Sequence, residues 1–213
     1  MIESLREKLY FSLLWLVALF FFSPVAWIIM SSFKIRNDIL AVPPKLLFTP
    51  TLENYFDLFK TNASVFQQML NSVVISVTAV IIAVIFSFLA AYCFSRFQPK
   101  VTNFLMFLLL SIRMLPGPAV ILPVFLMYAA FGWKDSHLAM IMFYAMFSIP
   151  FSVWILKGFL DGVSLRFDET GRVNGGSWFH VIFRVVLPQI KPGLVAAFIF
   201  NMNFCLLYTS DAA

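Results

Sequence analysis

Residues 72–94 read SVVISVTAVIIAVIFSFLAAYCF, a stretch of apolar and small residues without a charge. About 20 apolar residues in a helix cross the roughly 30 Å hydrocarbon core of a bilayer, because a helix rises about 1.5 Å per residue. A chain that crosses lipid must satisfy its own backbone hydrogen bonds, which an isolated strand cannot do. This stretch therefore predicts a transmembrane helix.

Four further stretches share this character. They cover about residues 9–30, 103–128, 138–156 and 193–207, and the second of them is interrupted by Arg113, Pro116, Pro118 and Pro123. The composition agrees, because 62% of the 213 residues are apolar and only 12% are charged, whereas a soluble domain has about 25% charged residues. We therefore expect an all-α, polytopic helical bundle with about five spans surrounded by lipid. The sequence contains no long Lys/Arg run that would indicate nucleic-acid binding and no GxxxxGK[ST] phosphate loop.

The placement of Lys and Arg predicts the orientation, since cytoplasmic loops are richer in these residues. With the N-terminus inside, the cytoplasmic segments hold nine of them, Arg6, Lys8, Arg96, Lys100, Lys157, Arg166, Arg172, Arg184 and Lys191. The outside segments then hold five, Lys34, Arg36, Lys45, Lys60 and Lys134. We therefore expect residues 1–8 and 157–191 to be cytoplasmic and residues 31–70 to form an extracytoplasmic loop, in which residues 50–55 open a short helix.

The 157–191 segment has recognisable local signals. A short helix is expected over residues 166–174 and should stop at Gly175 and Gly176, because glycine costs helix stability and permits a left-handed turn. Ser177 is suited to cap a second helix. Pro188 and Pro192 should bend or delimit that helix before the last span begins.

This segment resembles a cytoplasmic motif of the integral membrane subunits of bacterial ABC importers. The motif consists of Glu-Ala-Ala, three residues, Gly, nine residues and then Ile-x-Leu-Pro. Glu169 stands at the Glu position, Thr170 and Gly171 at the two alanines, and Gly175 at the glycine. Nine residues follow, and the motif ends in Val185-Val186-Leu187-Pro188. The spacing matches at every anchor, although both alanines and the isoleucine are replaced.

Other stretches resemble the carbohydrate branch of that family, the maltose-type permeases. They are residues 50–55, Ala90-Ala91-Tyr92 with Ser95-Arg96-Phe97, and Arg113-Met114-Leu115-Pro116 with Leu122-Pro123. The resemblance covers about residues 9–203, and intact members of the family have a six-span core. The residues from Cys205 to Ala213 do not resemble the family's continuation. Residues 193–213 are therefore expected to be a truncated fifth span with a truncated or artefactual end.

The resemblance implies the pore-forming permease subunit of an ATP-driven, binding-protein-dependent importer in the bacterial plasma membrane, with a sugar or oligosaccharide as cargo. It implies ABC ATPase subunits, a second permease subunit and an extracytoplasmic substrate-binding protein as partners. The short helix would be a coupling helix seated in a groove of the ATPase. The coupling residues would be Asp168, Glu169, Thr170, Gly171, Asn174, Gly175, Leu187 and Pro188. The chain itself would perform no catalysis and use no cofactor. The alternative is that the segment only links two spans.

Arg113 is the one basic residue inside an expected span. It lies about ten residues into the third span, which is about 15 Å deep by helix rise. An arginine at the centre of a span costs about 2.5–3.5 kcal/mol on insertion scales, so it should face protein or water. One interpretation has Arg113 line the translocation path or contact the partner permease, together with Pro116. The other has it bound by carbonyl groups freed around Pro116 and Pro118.

Two other classes of protein fit the sequence less well. A secondary transporter would need carboxylates or broken helices in the membrane for ion coupling, and no Asp or Glu lies within an expected span. A membrane-embedded enzyme would need clustered catalytic groups, which Asp161, Asp168 and Glu169 do not form with a His or Cys at suitable spacing. Cys93 and Cys205 lie apart and indicate neither a disulfide framework nor a metal site.

Overall fold

The computed structural model describes residues 2–61, 64–134 and 136–210, and the side chains of residues 2–5, 61, 118, 209 and 210 are not described. Within these ranges the chain is helical and contains no strand. It divides into two compact units, Met1–Phe66 and Gln67–Ala213. The expected all-α class is confirmed. Of the unusual end expected at residues 205–213, residues 211–213 lie outside the described residues.

The first unit contains α1 (Ile2–Ser32), α2 (Arg36–Ile39) and α3 (Glu53–Thr61). Asn54 ties α3 to the end of α1, because its Nδ2 donates to the carbonyl oxygens of Ser32 (2.9 Å) and Lys34 (2.7 Å). Thr51 accepts a hydrogen bond from the Glu53 backbone N–H. The short helix expected to open in residues 50–55 therefore begins at Glu53.

Lys34 organises the turn after α1. Its side chain is 1% exposed, and its Nζ donates to the Lys45 carbonyl oxygen at 2.7 Å. The ammonium group lies 4.3 Å from the ring centroid of Trp27 and 5.0 Å from that of Phe48. A buried ammonium group needs such partners because it has lost its hydration. These contacts position the start of the 31–70 loop.

The second unit contains the other apolar helices. They are α4 (Val65–Arg96), α5 (Thr102–Arg113), α6 (Gly117–Ala130), α7 (His137–Asp161) and, after four short elements, α11 (Lys191–Ser210). Over the described residues, four helices are long and apolar enough to cross a membrane, α1, α4, α7 and α11. Each coincides with an expected span.

The expected third span consists of two shorter helices, α5 and α6. The break lies at residues 114–116, where Pro116 has an extended backbone with φ −63° and ψ 133°. Proline lacks a backbone N–H and disfavours a helical conformation in the residue before it. The interruption expected at Arg113 and Pro116 is therefore a complete break between helices.

Small side chains bring α4 against its neighbours. Ala79, Ala83 and Ala91 are fully buried on one face of α4, and small residues let helices approach closely in a membrane. Polar bridges add to this packing. Ser87 donates to the Ile149 carbonyl oxygen on α7 (3.2 Å), and Asn201 on α11 donates to Ser152 Oγ on α7 (2.6 Å). The helices α4, α7 and α11 thus form the framework that carries the 157–191 segment.

Candidate functional site

The short helix of the 157–191 segment is α8, which covers Arg166–Val173, with Asn174 as its C-terminal cap. Its first turn carries Asp168 and Glu169 and its last turn carries Arg172. This distribution complements the helix dipole, which favours acids at the N-terminus and bases at the C-terminus. The helix predicted over residues 166–174 is confirmed to within one residue.

A tight turn ends α8 at its two glycines. The Gly175 N–H donates to the Arg172 carbonyl at 2.9 Å and the Gly176 N–H to the Gly171 carbonyl at 3.0 Å, which is the hydrogen-bond pattern of a Schellman motif. Gly175 has φ +82°, and a Cβ added there would meet no atom within 4 Å, so its backbone conformation alone demands glycine. Gly176 is required for a steric reason, because a Cβ there would lie 2.6 Å from the Gly171 carbonyl oxygen.

The chain then continues in three consecutive helical elements over residues 178–189, which we call the composite helix. Ser177 accepts a hydrogen bond from the His180 N–H (3.3 Å) and caps α9 (Trp178–His180), as its sequence position predicts. A π-helical turn follows at Val181–Val186, and α10 covers Leu187–Gln189. Single π-helical turns occur frequently at functional sites. The turn lies directly before Pro188, which has no N–H to donate to a carbonyl of the preceding turn.

Gly171 lies where this composite helix packs against α8. A Cβ at Gly171 would lie 3.0 Å from Cγ2 of Val181, which is fully buried. Replacement of an alanine of the family motif by glycine therefore lets α8 approach the β-branched Val181 closely. This contact is a physical reason for the altered motif residue.

The expected coupling residues do not share one environment. Glu169, Thr170, Asn174, Gly175 and Pro188 are exposed, and Gly171 and Leu187 are half-buried. A shallow depression of about 620 Å³ lies along α8 and its turn, bordered by Thr170, Gly171, Asn174 and Gly175. Asp168 is separate from this surface, with 7% of its area exposed. The fold therefore brings four of the eight expected coupling residues to one depression and buries Asp168 apart from it.

Asp168 contacts the C-terminal end of α4. The Tyr92 hydroxyl donates to Asp168 Oδ1 at 2.7 Å, and Arg96 Nε lies 3.0 Å from Asp168 Oδ2 as an ion pair. Arg96 also donates from Nη1 to the Leu160 carbonyl oxygen at the end of α7 (3.3 Å). Sequence reasoning missed this cluster. Tyr92 and Arg96 belong to stretches that support the family resemblance, but no sequence signal paired them with Asp168.

Further contacts surround this cluster. Ser95 donates to Asp161 Oδ1 (2.6 Å), which joins α4 to α7. The rings of Phe97 and Trp178 lie 5.5 Å apart, and the guanidinium of Arg172 on α8 lies 4.5 Å from the Trp178 ring centroid. Stacking of a guanidinium on an aromatic ring is stabilising. The ends of α4 and α7, α8 and the composite helix thus form one packed group.

Arg113 faces other protein groups. Its Nη1 donates to the Phe147 carbonyl oxygen on α7 at 2.9 Å. The guanidinium also lies 4.7–5.5 Å from the ring centroids of Phe147, Phe151 and Phe204. The acceptor therefore belongs to α7 and not to the region of Pro116 and Pro118, where one of the two interpretations placed the carbonyl groups that bind Arg113. Pro116 itself is exposed at the helix break.

A cavity of about 840 Å³ lies beside Arg113 within the second unit. Its wall includes aromatic residues with polar tips and other hydrogen-bonding side chains. These are Asn71, Ser72, Tyr128, Trp133, Ser136 and His137. Apolar walls with a few placed polar groups are the usual lining of a small-molecule site.

Comparison with known proteins identifies the family. The model of the family described as "Binding-protein-dependent transport system inner membrane component" matches residues 83–210. A probable ABC transporter permease protein, y4oR of Sinorhizobium fredii, is 28% identical over 91% of this chain and 70% of its own length. The diacetylchitobiose uptake system permease protein NgcG of Streptomyces coelicolor is 30% identical over 84% of this chain and 59% of its own length.

Two further proteins extend the comparison. The trehalose/maltose transport system permease protein MalG of Thermococcus litoralis is 28% identical over 92% of this chain and 73% of its own length. The chain thus spans roughly three fifths to three quarters of the length of these relatives. A crystal structure of a bacterial ABC transporter involved in the import of the acidic polysaccharide alginate contains a chain with the same fold, with a TM-score of 0.69 at 17% identity over 95% of this chain and 71% of that chain.

The family match covers more than half of the chain, including α8 and the composite helix that follows it. The four long apolar helices agree with that family's place in the membrane. The chain is therefore a multi-pass plasma-membrane protein that belongs to the inner membrane components of binding-protein-dependent transport systems.

Proposed function

We propose that this chain is the pore-forming permease subunit of an ATP-driven importer and that α8 is the helix that docks on an ATPase subunit. The observation that carries the proposal is the surface of α8. Two exposed residues, the carboxylate Glu169 and the small Thr170, precede the turn at Gly175, and Thr170 and Gly175 border the depression along α8. Such a helix can seat closely in a groove, and its carboxylate can pair with a basic residue of that groove. ATP hydrolysis belongs to the partner subunit.

The proposed cargo is a sugar or oligosaccharide. Two relatives are named for diacetylchitobiose and for trehalose and maltose, which supports this class of substrate. The cavity beside Arg113 offers aromatic faces and hydrogen-bonding groups, and carbohydrates present both apolar faces and hydroxyl groups. Arg113 and Pro116 would lie along the translocation path or contact the partner permease.

The proposed mechanism is alternating access. A binding protein would deliver the substrate to the side of the 31–70 loop, and the pore would be shared with a second permease subunit in the lipid bilayer. ATPase subunits would contact the 157–191 segment on the cytoplasmic side. Stimulation of ATP hydrolysis by the binding protein distinguishes this function from a secondary transporter or a membrane enzyme.

Gly175→Val tests the docking role of α8. Valine at φ +82° must adopt a left-handed conformation, which costs about 1–2 kcal/mol for a residue with a side chain. The free permease can relax this strain by leaving the left-handed turn, and docking must then restore the turn. Because 1.4 kcal/mol is a tenfold change in affinity, we expect roughly tenfold weaker binding of the ATPase. The measurement is co-purification of the ATPase with the permease from membranes, together with substrate uptake.

Gly132→Val is the matched control. Gly132 has φ +71° and equally open surroundings, but it lies in the turn between α6 and α7. The same backbone strain there should leave the ATPase bound. Glu169→Lys should weaken docking by reversing a charge, and this effect should diminish at high salt because salt screens exposed charges. Full ATPase binding and normal uptake in both Gly175→Val and Glu169→Lys would reduce the segment to a linker.

A further inference from the structure

We propose that Asp168 fixes α8 to the C-terminal end of α4, so that movement of α8 is delivered to α4 through one buried carboxylate. The inference rests on the proposed function, in which α8 is the helix moved by the ATPase. It assigns Asp168, Tyr92 and Arg96 as positioning residues that act through α8. None of the three belongs to the docking surface.

The two neighbouring acids of α8 have opposite surroundings. Successive residues of a helix point about 100° apart, because a helix has 3.6 residues per turn. Glu169 is exposed, whereas the Asp168 side chain retains 10% of its accessible area and the Arg96 side chain 6%. A protein surface that approaches α8 from outside would meet Glu169 but not Asp168. The role of Asp168 is therefore internal to this chain.

Both oxygens of the Asp168 carboxylate are used by α4. Oδ1 accepts from the Tyr92 hydroxyl at 2.7 Å, and Oδ2 faces Arg96 Nε at 3.0 Å. Tyr92 and Arg96 are four residues apart and therefore share one face of α4. The hydrogen bond from Tyr92 restrains the direction of the carboxylate, and the ion pair with Arg96, whose Nε forms no hydrogen bond with Oδ2, restrains its distance. The contact thus fixes the orientation of α8 relative to α4.

The burial of this pair makes it sensitive to the loss of one partner. A buried ion pair loses its hydration, and removal of one member leaves an uncompensated buried charge. Exposed pairs behave differently, since water replaces the lost partner. Lys157 and Asp161 form a more exposed pair at 2.6 Å, with side chains that are 23% and 44% exposed. The two pairs lie in the same region of the chain, so they serve as test and control.

Arg96 also connects the cluster to α7. Its Nη1 donates to the Leu160 carbonyl oxygen, and the adjacent Ser95 donates to Asp161. Only four residues, 162–165, separate the end of α7 from the start of α8. The covalent connection limits how far α8 can move from α7, but it does not determine its direction. The packing of Gly171 against Val181 restrains α8 relative to the composite helix, and the Asp168 contacts restrain it relative to α4.

The proposal predicts a phenotype that differs from loss of docking. Without the Asp168 carboxylate, α8 keeps its exposed surface and still binds the ATPase. Its movement is no longer transmitted to α4, so ATP is hydrolysed with little substrate uptake. We expect Asp168→Asn and Arg96→Gln each to lower the substrate transported per ATP hydrolysed by at least tenfold, with normal amounts of bound ATPase. Tyr92→Phe removes one hydrogen bond and should lower this ratio about two- to threefold.

The experiment compares these variants in the assembled transporter reconstituted with its binding protein. ATPase content, ATP hydrolysis and uptake are measured on the same vesicles. Asp168→Glu keeps the charge and should recover most of the ratio lost in Asp168→Asn. Lys157→Gln removes the exposed pair and should transport at the normal ratio. If Asp168→Asn fails to assemble, Arg96→Gln and Tyr92→Phe still test the proposal, because each leaves the docking surface of α8 unchanged.

Two results would overturn the inference. One is an unchanged transport ratio in both Asp168→Asn and Arg96→Gln. The other is loss of the ATPase from these variants, which would assign Asp168 to the docking surface. Failure of the proposed function gives a separate result, since Gly175→Val would then also retain its ATPase. If Gly175→Val loses the ATPase while the Asp168 variants transport at the normal ratio, the positioning role of Asp168 is refuted and the docking role of α8 stands.

Discussion

Gly193 offers a quantitative test of the contact between α7 and α11, the helices at the two ends of the 157–191 segment. It lies at the start of α11, and a Cβ there would lie 2.5 Å from Cγ, 2.7 Å from Cδ2 and 2.8 Å from Cβ of Phe159 on α7. Carbon atoms in favourable contact are about 3.5–4.0 Å apart. Gly193→Ala therefore requires a displacement of about 1 Å. Rotation of the phenyl ring cannot supply it all, because the Phe159 Cβ moves only with the backbone of α7.

The expected cost follows from overpacking. An extra methyl group in a well-packed site costs about 1–3 kcal/mol, whereas replacing glycine by alanine in a helix gains up to about 1 kcal/mol. Gly158→Ala separates the two effects, since Gly158 is the residue before Phe159 on α7 and a Cβ there meets no atom within 4 Å. The difference in unfolding free energy between the variants should thus be about 1–3 kcal/mol, with Gly193→Ala the less stable.

The assay is reversible unfolding of the purified full chain in detergent micelles, followed by circular dichroism as denaturant increases. Both variants contain the same new methyl group, so differences in detergent binding should largely cancel. Equal midpoints and slopes for Gly193→Ala and Gly158→Ala would refute the close approach of α7 and α11. If Gly193→Ala is destabilised, the contact between α7 and α11 holds the two ends of the 157–191 segment close together.

Two further predictions concern topology and Arg113. In intact cells, with Cys93 and Cys205 replaced, a single cysteine at Asn54 should react with an impermeant thiol reagent and one at Ser177 should not. The reverse pattern would contradict the orientation predicted from Lys and Arg. Arg113→Leu should alter the uptake rate while membrane insertion stays normal, because the variant removes the bond to the Phe147 carbonyl and the contacts with three rings. Unchanged uptake with normal assembly of the complex would exclude a role in the path or in the partner contact.

The sequence alone determined the features that depend on solvent and on near neighbours. Spans follow from the cost of unpaired backbone groups in lipid, so four apolar stretches predicted the four long helices. The bounds of α8, its stop at Gly175 and the cap at Ser177 depend on residues within a few positions of each other. These could be read from residue types and spacing.

The tertiary structure decided the features that depend on helices distant in sequence. Tyr92 and Asp168 are 76 residues apart, and nothing local distinguishes the buried Asp168 from the exposed Glu169 beside it. One of the two interpretations of Arg113 placed its partner near Pro116 and Pro118, but the acceptor lies on α7. Glycine at positions 176 and 193 is demanded by atoms of other residues, which a Cβ would strike. Rotation of each helix about its axis sets these contacts, and that rotation is fixed only when all the packed faces are satisfied together.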